Sequence, residues 1–162
     1  FEGCVFHTHI KDLTNLAKAF PHTTIIFNHL GGPIGVKSYA GRRKEVFAAW
    51  KLEVAELAKC PNVVAKLGAL QMIVNGYNWH KRDKPPTSDQ LLEANRDWYN
   101  YTIDQFSPER CMFESNFPVD KLSCSYTVLW NQFKKLTKDF SKGERADMFH
   151  DTAMRVYRLP RV

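Results

Sequence analysis

The sequence lacks several patterns that would each point to a particular class of protein. No apolar run approaches the roughly 18 residues that a membrane-spanning helix requires. No G-x-G-x-x-G turn follows an apolar strand, as a dinucleotide-binding sheet would show. The cysteines lie far apart without any C-x-x-C spacing, which argues against a zinc knuckle or a small disulfide scaffold. We therefore expect reduced, mostly buried thiols, a cytoplasmic protein and no membrane partner.

The first residues, FEGCV, also lack an initiator Met, a basic segment and the apolar core of a signal peptide. We interpret the chain as a fragment of a longer protein. Its 162 residues, 44% of them hydrophobic, are enough for one globular domain with a sizeable core.

The net charge of +6 raises the question of nucleic-acid binding. The Lys and Arg residues are scattered among acids in segments such as KLEVAELAK and FKKLTKDFSKGER. That pattern favours solvated helix faces over a phosphate-binding stripe, so no nucleic-acid partner is expected.

An apolar strand followed by an amphipathic helix recurs four times along the chain. The predicted strands are GCVFHTH, TTIIFNH, NVVAKLG and RCMFES, and the third predicted helix begins with Ser88 as its N-cap. Nearly continuous apolar strands that alternate with helices predict a parallel α/β sheet covered by helices. Four such units are half of an eight-unit barrel, and an open doubly wound sheet is the competing architecture.

Long loops follow three of the predicted strands. They span Gly31 to Arg43, Gln71 to Thr87 and Asn116 to Ser125, whereas the opposite turns PHT, KCPN and SPER are short. Long loops at one end of a sheet predict that the functional rim lies at that end.

The ends of the predicted strands carry the first candidate functional residues. His29 closes the second strand before two glycines, and its imidazole could bind a metal or polarise a substrate, although it could also be a structural histidine. Lys66 interrupts an apolar strand, and burial of an unpaired ammonium is costly. Lys66 is therefore predicted either to bind a substrate carboxylate or to form a structural ion pair.

Other histidines are weaker candidates. His7 and His9 are two residues apart on a predicted strand, which would place both on one face, and His9 is the better candidate for lining the pocket. His80 and Arg82 lie in the second long loop, where His80 either covers the mouth of the site or is simply exposed. His22 and His150 are predicted to be surface residues.

The segment ERCMFESNFPVDK contains the richest polar cluster. Glu114 and Asn116 would share a face if the strand continued, and either could orient a water molecule against a carbonyl. Asp120 could act as a base, with loop bracing beside Lys121 as the alternative.

With HLGGP, NVVAKLGAL, ERCMFESNFPVDK and FHDTAMRVYRL considered together, the sequence resembles the amidohydrolase-related (amidohydrolase 2) metal-dependent hydrolases, in the branch with sugar-lactone and pyrone-dicarboxylate lactonases. The resemblance covers essentially the whole chain, and the order, spacing and flanking residues of the motifs agree. It implies a TIM-type (β/α)8 barrel, with residues 1–162 forming the C-terminal part of one barrel domain, about its last four β/α units.

The resemblance also implies roles for individual residues. His29 matches the histidine of the sixth barrel strand, a tentative metal ligand, and Lys66 matches a lysine often found on the seventh. Asn116 occupies the place of the aspartate in the usual G-S-D-W-P motif of the eighth strand. An amide cannot be a general base and is a poor metal ligand, so Asp120, Glu114 or an upstream residue would take the base role. The first-strand H-x-H pair is absent, so a metal site would be incomplete in this chain.

These observations lead to one principal functional hypothesis. We expect a hydrolase that opens a lactone or a related cyclic ester or amide of an acidic small molecule, and the isolated fragment is expected to be inactive. The expected catalytic residues are His29, Asn116, Asp120 and Glu114, and the expected substrate-binding residues are His9, Lys66, His80 and Arg82. A divalent metal such as zinc is the implied cofactor, with metal-independent hydrolysis left open. Assembly into a homo-oligomer is also left open. A decarboxylase of the same superfamily and a non-catalytic barrel that has lost its acid are the alternatives.

Overall fold

The computed structural model describes residues 1–160 and contains one sheet of four parallel strands. The strands are β1 (Glu2–Gly3), β2 (Ile25–Phe27), β3 (Val63–Leu67) and β4 (Cys111–Phe113). They lie side by side in the order β1-β2-β3-β4, which is also their order along the chain. This sequential order is typical of a β/α barrel and lacks the reversal of strand order that defines a doubly wound sheet.

Helices follow every strand. They are α1 (Ile10–Ala19), α2 (Arg43–Ala58), α3 (Ser88–Phe106), α4 (Tyr126–Leu136), α5 (Lys142–Ala146) and α6 (Thr152–Tyr157). Helix α3 begins where it was predicted, but its N-cap is Thr87 and not Ser88, because Thr87 forms a capping box with Gln90. The predicted closing helix is divided into α5 and α6 by a π-helical turn, Asp147–Asp151.

Alternate residues of the strands pack on opposite faces of the sheet. Ile25, Phe27 and Val63 belong to the main core beneath helices α1 to α4, whose largest member, Trp50, is completely buried. The opposite face, which we call the inner face, has a small apolar core of Ile26, Val64 and Met112.

Helix α6 covers part of the inner face. Its residues Ala153 and Val156 pack on the small apolar core, although α6 comes last in the chain. Two residues beyond Val64 and Met112, the same face carries Lys66 and Glu114. The inner face is therefore apolar near the start of the strands and polar near their carboxyl ends.

The first predicted strand was too long. Strand β1 ends at Gly3, and His7 to His9 form a short 3-10 turn instead of an extended segment. His7 is consequently buried whereas His9 is exposed, so the two rings do not share a face as predicted. Within residues 1–160, β1 pairs with β2 over two residues, Glu2 with Ile26 and Gly3 with Phe27, and this pairing does not continue to His7.

The helices of the described residues are too short or too polar to span a bilayer. Across residues 1–160, none combines the length and the apolar character that membrane crossing requires.

Candidate active site

The carboxyl ends of three neighbouring strands bring His29, Lys66 and Glu114 together on the inner face. The register pairs β2 with β3 and β3 with β4, so residues that leave these strands at their ends are neighbours. All three side chains are largely but not fully buried, with exposed fractions of 20% for His29, 17% for Lys66 and 13% for Glu114. The predicted convergence of His29 and Lys66 at one end of the sheet is therefore present.

Glu114 fixes the ring of His29. The Nδ1 atom of His29 lies 2.5 Å from the Glu114 Oε1 atom, and the backbone N–H of His29 donates to the same oxygen at 3.2 Å. This double contact depends on the left-handed backbone of His29, with φ of 59°, immediately after β2. A carboxylate on Nδ1 orients the ring and directs the other nitrogen, Nε2, to a ligand or substrate.

Glu2, which the sequence analysis did not identify, extends this cluster through Lys66. Its Oε2 atom accepts hydrogen bonds from Asn28 Nδ2 at 3.1 Å and from Lys66 Nζ at 3.2 Å. Its Oε1 atom accepts the hydroxyl of Tyr157 at 2.6 Å. These bonds lower the pKa of Glu2 to about 2, and the bond from Tyr157 has the largest effect. The Glu2 carboxylate therefore stays ionised.

Lys66 connects the two carboxylates of the inner face. Its Nζ atom is 3.2 Å from Glu2 Oε2 and 3.9 Å from Glu114 Oε2. Burial opposes the charge of Lys66, but the Tyr157 hydroxyl, Glu2 and Glu114 outweigh it and raise the pKa of the ammonium. The contact with Glu2 is the structural ion pair that the sequence left as one of two alternatives.

Asp120 differs from Glu2 because its carboxyl group is buried and forms few hydrogen bonds. It is 1% exposed, and its Oδ1 atom accepts a hydrogen bond from Asn116 Nδ2 at 2.9 Å. The Oδ2 atom has no hydrogen-bond partner within residues 1–160. Burial, which outweighs the bond from Asn116, raises the pKa of Asp120 to about 7.

The expected alignment of Asn116 with Glu114 does not occur. Strand β4 ends at Phe113, and Asn116 has a left-handed backbone with φ of 52°. The turn rotates the Asn116 side chain towards Asp120, because a short polar residue tolerates this conformation and bonds locally.

Within residues 1–160, no hydrogen bond or ion pair joins His9, His80 or Arg82 to this cluster. His9 is exposed, and its Nδ1 atom is 2.9 Å from the hydroxyl of its neighbour Thr8. His80 is partly buried in the second long loop, and the Arg82 guanidinium lies over the ring of Trp79, 4.2 Å from its centre. His22 and His150 are exposed, as predicted.

Sequence reasoning missed Glu2, Asn28 and Tyr157. Asn28 directly precedes His29, so its place at the end of an apolar strand was a signal that could have been used. Tyr157 had no such signal, because it belongs to α6 and reaches the inner face only through tertiary packing.

The polar side chains of this region offer few ligands to a divalent metal. His29 Nε2 is a suitable single ligand, but within residues 1–160 no three His, Cys, Asp or Glu side chains converge as a metal site requires. Asn116 contributes a neutral amide where a carboxylate would bind more strongly. The described residues therefore do not complete a metal site.

Comparison with known proteins places this geometry in context. The sequence profile of the Amidohydrolase family matches residues 2–159. The chain is 36% identical to the uncharacterized protein y4mH of Sinorhizobium fredii (strain NBRC 101917 / NGR234) over 155 residues, which are 96% of this chain and 46% of that protein. It is 27% identical to the L-fucono-1,5-lactonase of Burkholderia multivorans (strain ATCC 17616 / 249) over 164 residues, which cover 99% of this chain and 51% of the lactonase.

A solved structure supports the same conclusion. An amidohydrolase of Burkholderia multivorans with bound zinc superposes with a TM-score of 0.82 at 26% identity, over 98% of this chain and 52% of that one. The chain thus spans about half the length of the relatives that it matches. The predicted fold class, an α/β chain of the TIM-barrel type, is confirmed by the parallel sheet and by this neighbour. Because the family profile covers nearly all of the sequence and the fold agrees, the chain belongs to the Amidohydrolase family.

Proposed function

We propose that the complete protein hydrolyses a lactone, or a related cyclic ester or amide, of an acidic small molecule. The observation that carries this proposal is the contact between His29 Nδ1 and Glu114 Oε1 at the carboxyl end of the sheet. It leaves the Nε2 atom of the imidazole oriented and available to a substrate, and the charge of His29 also acts on the buried carboxyl of Asp120. The relationship to the lactonase of Burkholderia multivorans supports a cyclic ester as the first substrate to test.

His29 polarises the carbonyl in this proposal. When its ring is protonated, Nε2–H donates a hydrogen bond to the carbonyl oxygen, and Glu114 compensates the positive charge from the other side. The donor is already oriented, so no reorganisation is needed as charge develops on the oxygen.

Asp120 activates the attacking water. Its buried Oδ2 atom accepts a proton from the water, which must reach this atom when substrate binds, as the oxygen of that water bonds to the carbonyl carbon. Asn116 holds the other carboxyl oxygen, which keeps the acceptor fixed. The ring C–O bond of the lactone then breaks, the leaving oxygen takes the proton that Asp120 received from the water, and the product is an open hydroxy acid.

Lys66 keeps positive charge next to the reaction centre. Its ammonium already contacts Glu2 and Glu114, and a substrate carboxylate would be a further acceptor for its N–H groups. Lys66 therefore combines a structural ion pair with a proposed role in binding an acidic substrate.

Zinc is the metal to test in the complete protein, since the Burkholderia multivorans neighbour has it bound. Here His29 Nε2 would be one ligand, in place of its hydrogen bond to the carbonyl, and the remaining ligands would come from outside residues 1–160. The steps above use the side chains of this chain alone.

The proposal is tested by His29→Ala in the complete protein. We expect lactone hydrolysis to fall about a hundredfold or more, the usual scale for losing an electrophilic or acid-base group. The matched controls are His22→Ala and His150→Ala, which remove exposed imidazoles and should leave the rate nearly unchanged. Equal rates for all three variants would show that His29 is not in the site, and the absence of hydrolysis across a panel of lactones in the wild type would refute the substrate class.

A further inference from the structure

A cavity of about 320 Å³ lies outside the cluster around His29. It is formed between two long rim loops, residues 71–87 and residues 116–125, which together supply every residue that lines it. Its size is at the lower end of small-molecule sites.

The lining of this rim cavity is basic. His80, Arg82 and Lys121 line it, and none of the described lining residues is Asp or Glu. Three cationic or basic groups around one concave surface, without a carboxylate among them, favour an anion as the occupant. Arginine in particular suits a carboxylate, because its planar guanidinium donates two parallel hydrogen bonds.

The imidazole of His80 adds a directional donor or acceptor. Its Nδ1 atom is shut off from solvent and has no hydrogen-bond partner within residues 1–160. Because His80 lines the cavity, its imidazole can exchange a hydrogen bond with a ligand there.

The remaining wall of the rim cavity is apolar. Trp79, Pro85 and Leu122 form it, and Leu122 is 65% exposed, which is high for a large apolar side chain. The Arg82 guanidinium lies over the Trp79 ring and is thereby held at the edge of this wall. Inorganic phosphate would leave such a wall uncovered, whereas a carboxylate attached to a flat apolar group would cover it.

We propose that the rim cavity binds a small organic carboxylate with an apolar body. The carboxylate is recognised by Arg82 and Lys121, His80 adds a hydrogen bond, and the apolar body lies against Trp79 and Leu122. This inference rests on the rim loops and not on the hydrolytic function proposed for His29. The carboxylate belongs either to the substrate or to a separate ligand, and the two sources share this chemistry.

The experiment uses the complete protein carrying His29→Ala, with benzoate as the probe and isothermal titration calorimetry as the measurement. We expect saturable binding of benzoate and at least tenfold weaker binding of benzyl alcohol, which keeps the ring and lacks the charge. Inorganic phosphate should also bind at least tenfold more weakly than benzoate. Adding Arg82→Ala or Lys121→Ala should weaken benzoate binding about tenfold each. The matched control is Arg42→Ala, which removes an exposed arginine of a different loop and should change nothing.

The source of the carboxylate follows from kinetics of the protein with His29 intact. Competitive inhibition of lactone hydrolysis by benzoate, relieved by Arg82→Ala, would assign the cavity to the acidic end of the substrate. Benzoate binding without competition would assign it to a separate ligand. The proposal is overturned if benzoate and benzyl alcohol bind equally, or if Arg42→Ala weakens binding as much as Arg82→Ala. Because the binding assay requires no turnover, its outcome is independent of whether the lactonase proposal succeeds.

Discussion

Glu2 and Asp120 are two carboxyl groups of the same site region in opposite environments. Glu2 is 43% exposed at its side chain and accepts hydrogen bonds from Tyr157, Asn28 and Lys66, which lower its pKa to about 2. Asp120 is 1% exposed and accepts one side-chain hydrogen bond, from Asn116, and its pKa is raised to about 7. The number of donors and the degree of burial, not the type of residue, decide which carboxyl is permanently charged.

The difference in pKa suggests different roles for the two carboxyl groups. A carboxylate that is always ionised, such as Glu2, can hold Lys66 in place but exchanges no protons near neutral pH. A carboxyl that titrates near pH 7, such as Asp120, can take up and release protons during a reaction. Titratable groups whose environments move their pKa values apart are a common feature of acid-base sites.

Among the substitutions that test this contrast between Glu2 and Asp120, Asp120→Asn is expected to have the largest effect on activity. The amide keeps the shape and can still accept the bond from Asn116, but it cannot accept a proton. We expect lactone hydrolysis by the complete protein to fall about a hundredfold. In the wild type, kcat/KM should rise as Asp120 loses its proton, with a midpoint near its pKa of about 7, and this rise should be absent in the variant. A variant that keeps both the rate and the rise would remove Asp120 from the mechanism.

A smaller effect is expected from Asn116→Asp. The change replaces the donor 2.9 Å from Asp120 Oδ1 with a second carboxyl, so like-charge repulsion raises the pKa of Asp120 further. Turnover should fall about tenfold or stay unchanged, on the scale of one altered pKa unit. Asn116→Ser is the matched control, since it removes the amide without adding charge. A gain in both zinc content and turnover would instead favour a metal hydrolase that has lost its acid.

The smallest effect is expected from Glu2→Gln, and it concerns stability. A lowered pKa means that Glu2 stabilises the fold above its usual value of 4.5, and that this contribution is lost as pH falls towards about 2. Because Glu2 is partly exposed, we expect a difference below about 1 kcal/mol at neutral pH. Denaturant unfolding of the complete protein at several pH values measures it.

Asp120→Asn should change the pH dependence of the free energy of unfolding in the opposite direction, and the same unfolding experiments measure it. The raised pKa of Asp120 makes the wild type lose stability relative to this variant as pH rises from 3.8 to about 7. Equal pH dependence of the two variants would contradict the contrast between the two carboxyls.

Local patterns in the sequence were sufficient for the repeating part of the fold. Alternation of apolar strands with amphipathic helices predicted four β/α units, and the strands found at Ile25–Phe27, Val63–Leu67 and Cys111–Phe113 lie within the predicted segments. The long loops correctly marked the carboxyl ends, where His29, Lys66 and Glu114 meet. These predictions succeeded because periodicity and strand-end position depend on neighbouring residues.

The sequence determined by itself which polar groups end the strands, because each follows an apolar run that must be buried. Only the tertiary structure decided their partners. Packing of α6 brought Tyr157 to Glu2, 155 residues away, and the end of β4 at Phe113 turned Asn116 from Glu114 to Asp120. The pKa values of Glu2 and Asp120 follow from those contacts and from burial. No local pattern contains them, since burial and hydrogen bonding are set by residues that are distant in the chain and adjacent only after folding.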